Sequence, residues 1–408
     1  MRTFTLTQWS VIIILSLLTA LEPLCIDLYL PGFIMISEAF GTHISAVQMS
    51  LSTFLAGFAI GQLFWGPLAD RLGRKKPILI SLFVFIIASV ACIYVKTIEQ
   101  LWVVRFIQAI GGCGGVVISR AVVTDYFDKN KTLKIFSILA LIMGIAPIIA
   151  PSIGNGVLQF FSWKGLFGAM LVLGIILFLL TFFLLPETHK NRKRNNTNII
   201  KDYWSVLKVK KFTIYAIIAG LANGALMIYV SNGPFIIMEN GGFSSTAFGF
   251  LFAINALGLM IGSYLINILQ KYFSLKQIVN HALLFMSLMG ILLITFMSLD
   301  LNIVFILITL FFYVFPIGIL FPATTELALS QFRKNSGTAS ALFGSIQLLL
   351  SSICSLLANY MNNATMISVG IALLFCCILG LIIIFGYDTI RKTKAGYFLK
   401  LQKIRARA

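Results

Sequence analysis

Charge is scarce in this chain, and negative charge is the scarcest. Only 11% of the 408 residues are charged, with 13 acidic residues against 31 basic ones. Soluble domains carry about 25% charged residues, so a chain that is 59% hydrophobic with a mean hydropathy of +0.98 is no ordinary water-soluble domain. Histidine is almost missing: His43 and His189 fall in polar connections and His281 at the start of an apolar run. They form no catalytic or metal cluster. The six cysteines (Cys25, Cys92, Cys113, Cys354, Cys376 and Cys377) all sit in apolar stretches without metal-ligand spacing. They read as small, reduced packing residues. No metal, no cofactor and no enzymatic constellation of nucleophile and base is expected. A net charge of +18 would suit a nucleic-acid binder, but the cations lie between long apolar runs instead of covering a polar face. No nucleic-acid partner follows; a polytopic membrane protein does.

Twelve apolar segments are long enough to span a bilayer, which takes about 20 helical residues. They run near 9–33, 45–67, 77–95, 99–121, 133–157, 165–186, 211–236, 246–269, 276–297, 302–327, 337–360 and 365–386. Polar residues near 324–340 blur the junction of segments 10 and 11. The first run exceeds a signal-peptide core and lacks a small-residue cleavage site, so it is expected to be retained. The amino tail, even-numbered connections and carboxyl tail hold 27 Lys and Arg; the odd-numbered connections hold only Lys96 and Lys164. By the positive-inside rule both termini are cytoplasmic. The longest polar interruption, from Glu187 to Lys211, divides the chain. The expected organisation is a six-helix half at 1–190, a cytoplasmic linker at 191–210, a second six-helix half at 211–386 and a basic tail at 387–408. Pro31 and Pro234 stand near the end of the first helix of each half. Paired halves around a midplane site are transporter architecture.

Charges inside the membrane each need a partner or a purpose. Segment 1 contains Glu22 and Asp27, and segment 4 contains Arg105. At ~1.5 Å per residue, Asp27 lies ~27 Å along segment 1, and Arg105 lies ~9 Å from the outer end of segment 4. Similar depths would let the two charges pair across a cavity. Such a pair suits a carboxylate that gains and loses a proton, or serves as a static ion pair fixing helix packing. Glu22 and Asp27 are about 140° apart around a helix, too far for one face of an unbroken helix. Pro23 could rotate the next turn and bring both to a wide cavity. Glu22 is then a second proton site, a cation-selective contact or a locally bonded carboxyl.

Between segments 2 and 3 lies Gly66-Pro-Leu-Ala-Asp70-Arg-Leu-Gly73-Arg74-Lys75-Lys76. It resembles the signature loop between helices 2 and 3 of major facilitator superfamily transporters. Asp27-Leu-Tyr29-Leu-Pro31 is similar to the helix 1 signature of the bicyclomycin-resistance (Bcr/CflA) branch of drug:proton antiporters. The stretches Leu51 to Gln62, Arg105 to Gly111 and Gly337 to Ala341 look like the same branch. Gly144-Ile-Ala-Pro147-Ile-Ile-Ala-Pro151-Ser-Ile-Gly154 resembles the antiporter motif of segment 5. The resemblance departs at Glu22, where relatives carry an uncharged residue, at Asn155, where a small one is common, and at Glu326.

What the resemblance implies is an all-α membrane protein of twelve helices in two six-helix halves. Its expected role is proton-coupled efflux of drugs or other small molecules by alternating access across the bacterial inner membrane, as a monomer in contact with lipid. Asp27, Arg105 and Glu22 would couple protons. Asp70, Arg74, Arg120 and Asp125 would form a gating charge network, against the alternative of plain topology signalling. Gly144, Pro147, Pro151 and Gly154 would let helix 5 bend and approach its neighbour, against ordinary packing. Tyr29, Asn223, Tyr229 and Asn232 are candidates for substrate contact, or for packing and interfacial roles. The tail from Arg391 to Arg407 alternates cations with apolar residues and is expected at the inner membrane surface. The alternatives are a dedicated exporter of one endogenous metabolite or siderophore and, in another class, a channel or transporter-like sensor.

Overall fold

A backbone crossing hydrocarbon must satisfy its own N–H and C=O groups, so apolar runs of this length become helices. In a computed structural model describing residues 5–188, 199–332, 336–361 and 365–405, they do. The helices are α1 (Leu6–Asp27), α2 (Phe33–Phe40), α3 (Ile44–Leu72), α4 (Lys75–Tyr94), α5 (Ile98–Tyr126), α6 (Lys129–Phe160) and α7 (Lys164–Leu184). After them come α8 (Ile199–Leu207), α9 (Lys210–Pro234), α10 (Ser245–Leu269), α11 (Leu275–Ser298), α12 (Ile303–Leu329), α13 (Ser336–Met361) and α14 (Met366–Arg405). Twelve spans are long and apolar enough to cross a membrane, as the sequence predicts. The chain is an all-helical, multi-pass membrane protein.

Polar caps stand where spans begin. Thr97 accepts a hydrogen bond from Gln100 N, Ser244 accepts one from Ala247 N, and Ser274 with Gln277 closes a reciprocal capping box. The first span is longer than the expected segment 9–33, running from Leu6 to Phe40. A 3₁₀ turn at Leu30–Gly32, with Pro31 inside it, links α1 to α2 without leaving the span. Span 7 behaves alike: after Pro234 it continues through a π-helical turn, Phe235–Asn240. Both prolines therefore mark a change of helical winding. Residues 333–335, where segments 10 and 11 meet, and 189–198, which end the predicted first half and begin the predicted linker, lie outside the described residues; 199–207 of that linker form α8.

Most packing stays within the first six spans (α3 with α5, α4 with α5 and α7, α1 with α6) or within the last six (α9 with α13, α11 with α12 and α14, α10 with α12). The main seams between the sets are α3 against α13 and α6 against α10. Along the first, Ser52 Oγ donates to Ser355 Oγ at 2.8 Å, Ser352 Oγ to the Ser52 carbonyl at 2.8 Å, and Ser345 Oγ to the Ala59 carbonyl at 2.9 Å. Along the second, Asn155 Nδ2 donates to Thr246 Oγ1 at 3.0 Å while Asn155 Oδ1 accepts from Ser245 Oγ at 2.5 Å. Where both seams end, near Asn155 and Ser52, the molecule faces away from its basic connections.

Candidate functional site

A cavity opens between the two sets of spans, walled by α1 and α6 on one side and by α9 and α10 on the other. Helix α1 presents Glu22, Pro23, Ile26 and Asp27 to it. At 100° per residue these positions sweep an arc of about 140°. The breadth of the cavity, not a break in the helix, therefore lets both carboxyls border it: α1 runs unbroken through Pro23. Asp27 is buried within the protein and Glu22 half-buried, and neither makes an ion pair among the described residues. The opposite wall carries Tyr229 and Phe252, stacked with ring centroids 6.0 Å apart and planes 11° from parallel. Tyr229 Oη and Asn255 Oδ1 are buried without a hydrogen-bond partner, and both residues line the cavity.

Arg105 is not where the sequence puts it. The expected pairing with Asp27 does not form, and Arg105 does not line the cavity. It is fully buried, its guanidinium 4.2 Å from the Phe54 ring centre, 4.7 Å from Tyr29 and 5.9 Å from Phe167. Nη1 donates to Gln108 Oε1 at 2.7 Å and Nη2 to the Cys25 carbonyl at 3.1 Å. The helical period gives the reason. Cys25 and Asp27 lie about 200° apart, so a turn that offers Cys25 to α5 swings Asp27 toward the cavity. Cys25 also belongs to the last turn of α1, where carbonyls run short of intrahelical donors and a cation is favoured. Arg105 thus holds the end of the helix that carries both carboxyls.

The substrate-contact candidates divide. Tyr229 borders the cavity. Tyr29 does not: it is buried among Phe33, Phe167 and Arg105, with its hydroxyl 2.9 Å from Ser50 Oγ. Asn223 spends its amide on Ser351 Oγ at 2.7 Å, joining α9 to α13, and Asn232 bonds the Ile228 carbonyl at 2.9 Å. Both are packing contacts away from the cavity wall. Asn255 and Phe252 were missed; a lone amide inside an apolar segment was the available signal.

In the basic turn, Arg74 Nη1 donates to Asp70 at 2.6 Å and Nε to Asp125 at 2.7 Å. Burial works against the guanidinium's charge, but the hydrogen bonds and charges of Asp125 and Asp70 outweigh it and hold its pKa above the ordinary value. Arg120, exposed five residues before Asp125 and so about 140° around α5 from it, lies outside this ion-paired group, a correction to the expected four-residue network. The fourth member is Glu187, just past α7, which accepts from the backbone N–H groups of Arg74 (2.9 Å) and Lys75 (3.2 Å) and so caps α4. Gly73 makes room for it: its φ is +91°, and a Cβ there would meet the Glu187 carboxylate.

In α6, Pro147 lines the cavity, Gly144 faces Met260 of α10, and Pro151 approaches Gly249. Gly154 lies directly against the Leu28 carbonyl, where no side chain fits. The side chains of the predicted tail contacts from Arg391 to Arg407 lie outside the described residues, though α14 continues as helix to Arg405.

The Major Facilitator Superfamily profile matches residues 15–354. A relative from Bacillus subtilis (strain 168), the uncharacterized MFS-type transporter YdgK, is 34% identical over 378 residues, covering 91% of this chain and 94% of its own. The bicyclomycin resistance protein homolog of Haemophilus influenzae is 30% identical over 357 residues, covering 87% and 90%. Among solved structures, a D-xylose-proton symporter superposes with a TM-score of 0.75 at 15% identity, covering 91% of this chain and 97% of its own, a likeness of fold. With the helical architecture and the inter-set cavity, these matches make the chain a membrane transporter rather than an enzyme: it belongs to the Major Facilitator Superfamily.

Proposed function

We propose that this protein exports drugs or other small molecules across the bacterial inner membrane in exchange for protons, by alternating access. The carrying observation is the cavity between the two sets of spans, where Glu22 and Asp27 are the ionisable carboxyls on an otherwise largely apolar wall. A carboxyl facing such a cavity can hold a proton in one state and release it in another, which is the chemistry an antiporter requires. The named resistance role of the Haemophilus influenzae relative supports export of drugs. In this reading residues 1–190 and 211–386 are two rocking halves, residues 191–210 are the linker, and 387–408 are a basic tail at the lipid surface. The protein works as a monomer with both termini cytoplasmic, an orientation supported by 27 cations on one side against two on the other. Asp27, Glu22 and Arg105 serve coupling, the last by fixing the end of α1. Asp70, Arg74 and Asp125, with Glu187 in place of Arg120, form the gating group at the cytoplasmic end. Gly144, Pro147, Pro151 and Gly154 allow α6 to pack closely at the seam.

The test is uphill transport in proteoliposomes under an imposed pH gradient, with a panel of antimicrobials. Asp27→Asn, which fixes the side chain in a form like the protonated acid, is expected to abolish gradient-driven accumulation while leaving exchange without a gradient. Unchanged uphill transport by Asp27→Asn defeats the coupling assignment.

A further inference from the structure

The cavity has a charge signature. Its wall offers two carboxyls, Glu22 and Asp27, from one helix, and among the described residues no Lys, Arg or His borders it. Two intramembrane cations of α5 stand near α1 without lining the cavity: Arg105 is turned away and enclosed by Tyr29, Phe54 and Phe167, and Arg120 stands close enough to act on the charge of Glu22. Facing the carboxyls is the stacked pair Tyr229–Phe252, with the flexible thioethers Met143 and Met227 nearby. Two polar atoms on that wall, Tyr229 Oη and Asn255 Oδ1, are buried with no protein partner. Buried polar atoms are nearly always paired, so orphans on a cavity wall mark a surface built to receive a ligand.

We propose that this cavity selects amphiphilic organic cations, holding the cationic centre by Glu22 and Asp27 and the apolar body against Tyr229, Phe252 and the methionines. The proposal rests on the export reading only in taking this cavity as the substrate site. A carboxylate in a largely apolar chamber favours a positive guest and repels a negative one of the same shape. Aromatic faces add cation–π attraction, and thioethers adapt to guests of different outline. Glu22 gives the cavity its second carboxyl. With it, one acid can grip a monovalent cation while the other carries a proton, and entry of a cation against loss of one proton leaves the cavity's net charge unchanged.

Equilibrium binding to the purified full-length protein in detergent, without a gradient, tests this with tetraphenylphosphonium and its isosteric anion tetraphenylborate. Tetraphenylphosphonium is expected to bind saturably and not to be displaced by tetraphenylborate. Glu22→Gln should weaken it about tenfold, and Glu22→Asp, which keeps the charge, by less than about threefold. Tetraphenylborate competing as well as the cation, unchanged affinity in Glu22→Gln, or no saturable cation binding would each overturn the proposal. The wild-type comparison of cation with anion needs no variant, so a poorly folding substitution does not protect it. Glu22-dependent binding without uphill transport in a pH gradient would sink the coupling and leave this selectivity standing. Uphill transport of neutral compounds without cation binding would do the reverse.

Discussion

The position of one carbonyl decides what Arg105 does. Charges at matching depths suggested an ion pair with Asp27, and depth can be read from sequence at ~1.5 Å per residue. Azimuth cannot, because it depends on which face of α1 packs against α5. The structure gives Arg105 to the Cys25 carbonyl and to Gln108, whose Nε2 in turn donates to Ser89 Oγ at 2.8 Å. A double-mutant cycle separates the two arrangements. Asp27→Asn with Arg105→Lys should be additive in thermal unfolding within about 0.5 kcal/mol, whereas Arg105→Lys with Gln108→Leu should couple by about 1 kcal/mol or more. Strong coupling between Asp27 and Arg105 would mean that the ion pair forms after all. Lysine is a poor substitute in either case, since one ammonium cannot hold two acceptors in the planar fork of a guanidinium. Tyr29 and Asn223 teach the same limit. Their polarity was legible, but tyrosines and asparagines in apolar helices look alike whether they meet a cavity or a neighbouring helix. Only packing told Tyr229 from Tyr29.

At the scale of elements, the basic turn was the most legible part of the chain. Its glycines, Asp70 and Arg74 stand at fixed spacing between apolar runs, so a tight, charged hairpin follows from order alone. Glu187 was not legible in this role, because it reaches the turn from over 110 residues away. Its carboxylate meets the N-terminus of α4, where backbone donors are unsatisfied and a negative charge is favoured. Glu187→Gln should lower stability by about 1 kcal/mol, the usual worth of a helix cap, measured as a fall in unfolding temperature in detergent. Gly73→Ala should be worse than Glu187→Gln. Its φ of +91° is hostile to a side chain, and the new methyl would also displace the carboxylate. An alanine variant as stable as the parent would show that the turn relaxes to another conformation. Between the two acids on Arg74, Asp125 should matter more for stability than Asp70. Its side chain is 25% exposed against 68%, and exposed ion pairs contribute little.

Across the whole molecule, the twelve spans were foreseeable because a polar backbone crossing hydrocarbon must satisfy its own hydrogen bonds, and an apolar run of about 20 residues does so as a helix. The seams between the two sets were not, since they are built from serines and small residues scattered through apolar runs. Asn155 is the exception: it stood out as an amide between glycines, and it joins α6 to Ser245 and Thr246 of α10. A polar bond between membrane helices is worth about 0.6 kcal/mol. Two such bonds lost in Asn155→Ala should shift the closed-to-open ratio at this end about eightfold toward open, read as greater labelling of cysteines placed beneath the seam. Unchanged labelling would mean that the clasp does not hold the seam. The seam bonds at Ser52, Ser345, Ser352, Ser355 and Asn359, taken with the Asn155 clasp, amount to roughly 4 kcal/mol on the same basis. That is below the ~5.5 kcal/mol needed to drive a two-state equilibrium from 99:1 to 1:99, so a ligand's preference for one state is enough to part the seams. If the halves do rock apart here, tying them together must stop transport. The hydroxyls of Ser52 and Ser355 lie 2.8 Å apart, which puts the two side chains within cross-linking reach. In a background with the six native cysteines replaced, Ser52→Cys with Ser355→Cys should form a disulfide under oxidation and lose transport, and a reductant should restore it. Full transport by the cross-linked protein would rule out opening along the α3–α13 seam and move the outward path to another pair of helices.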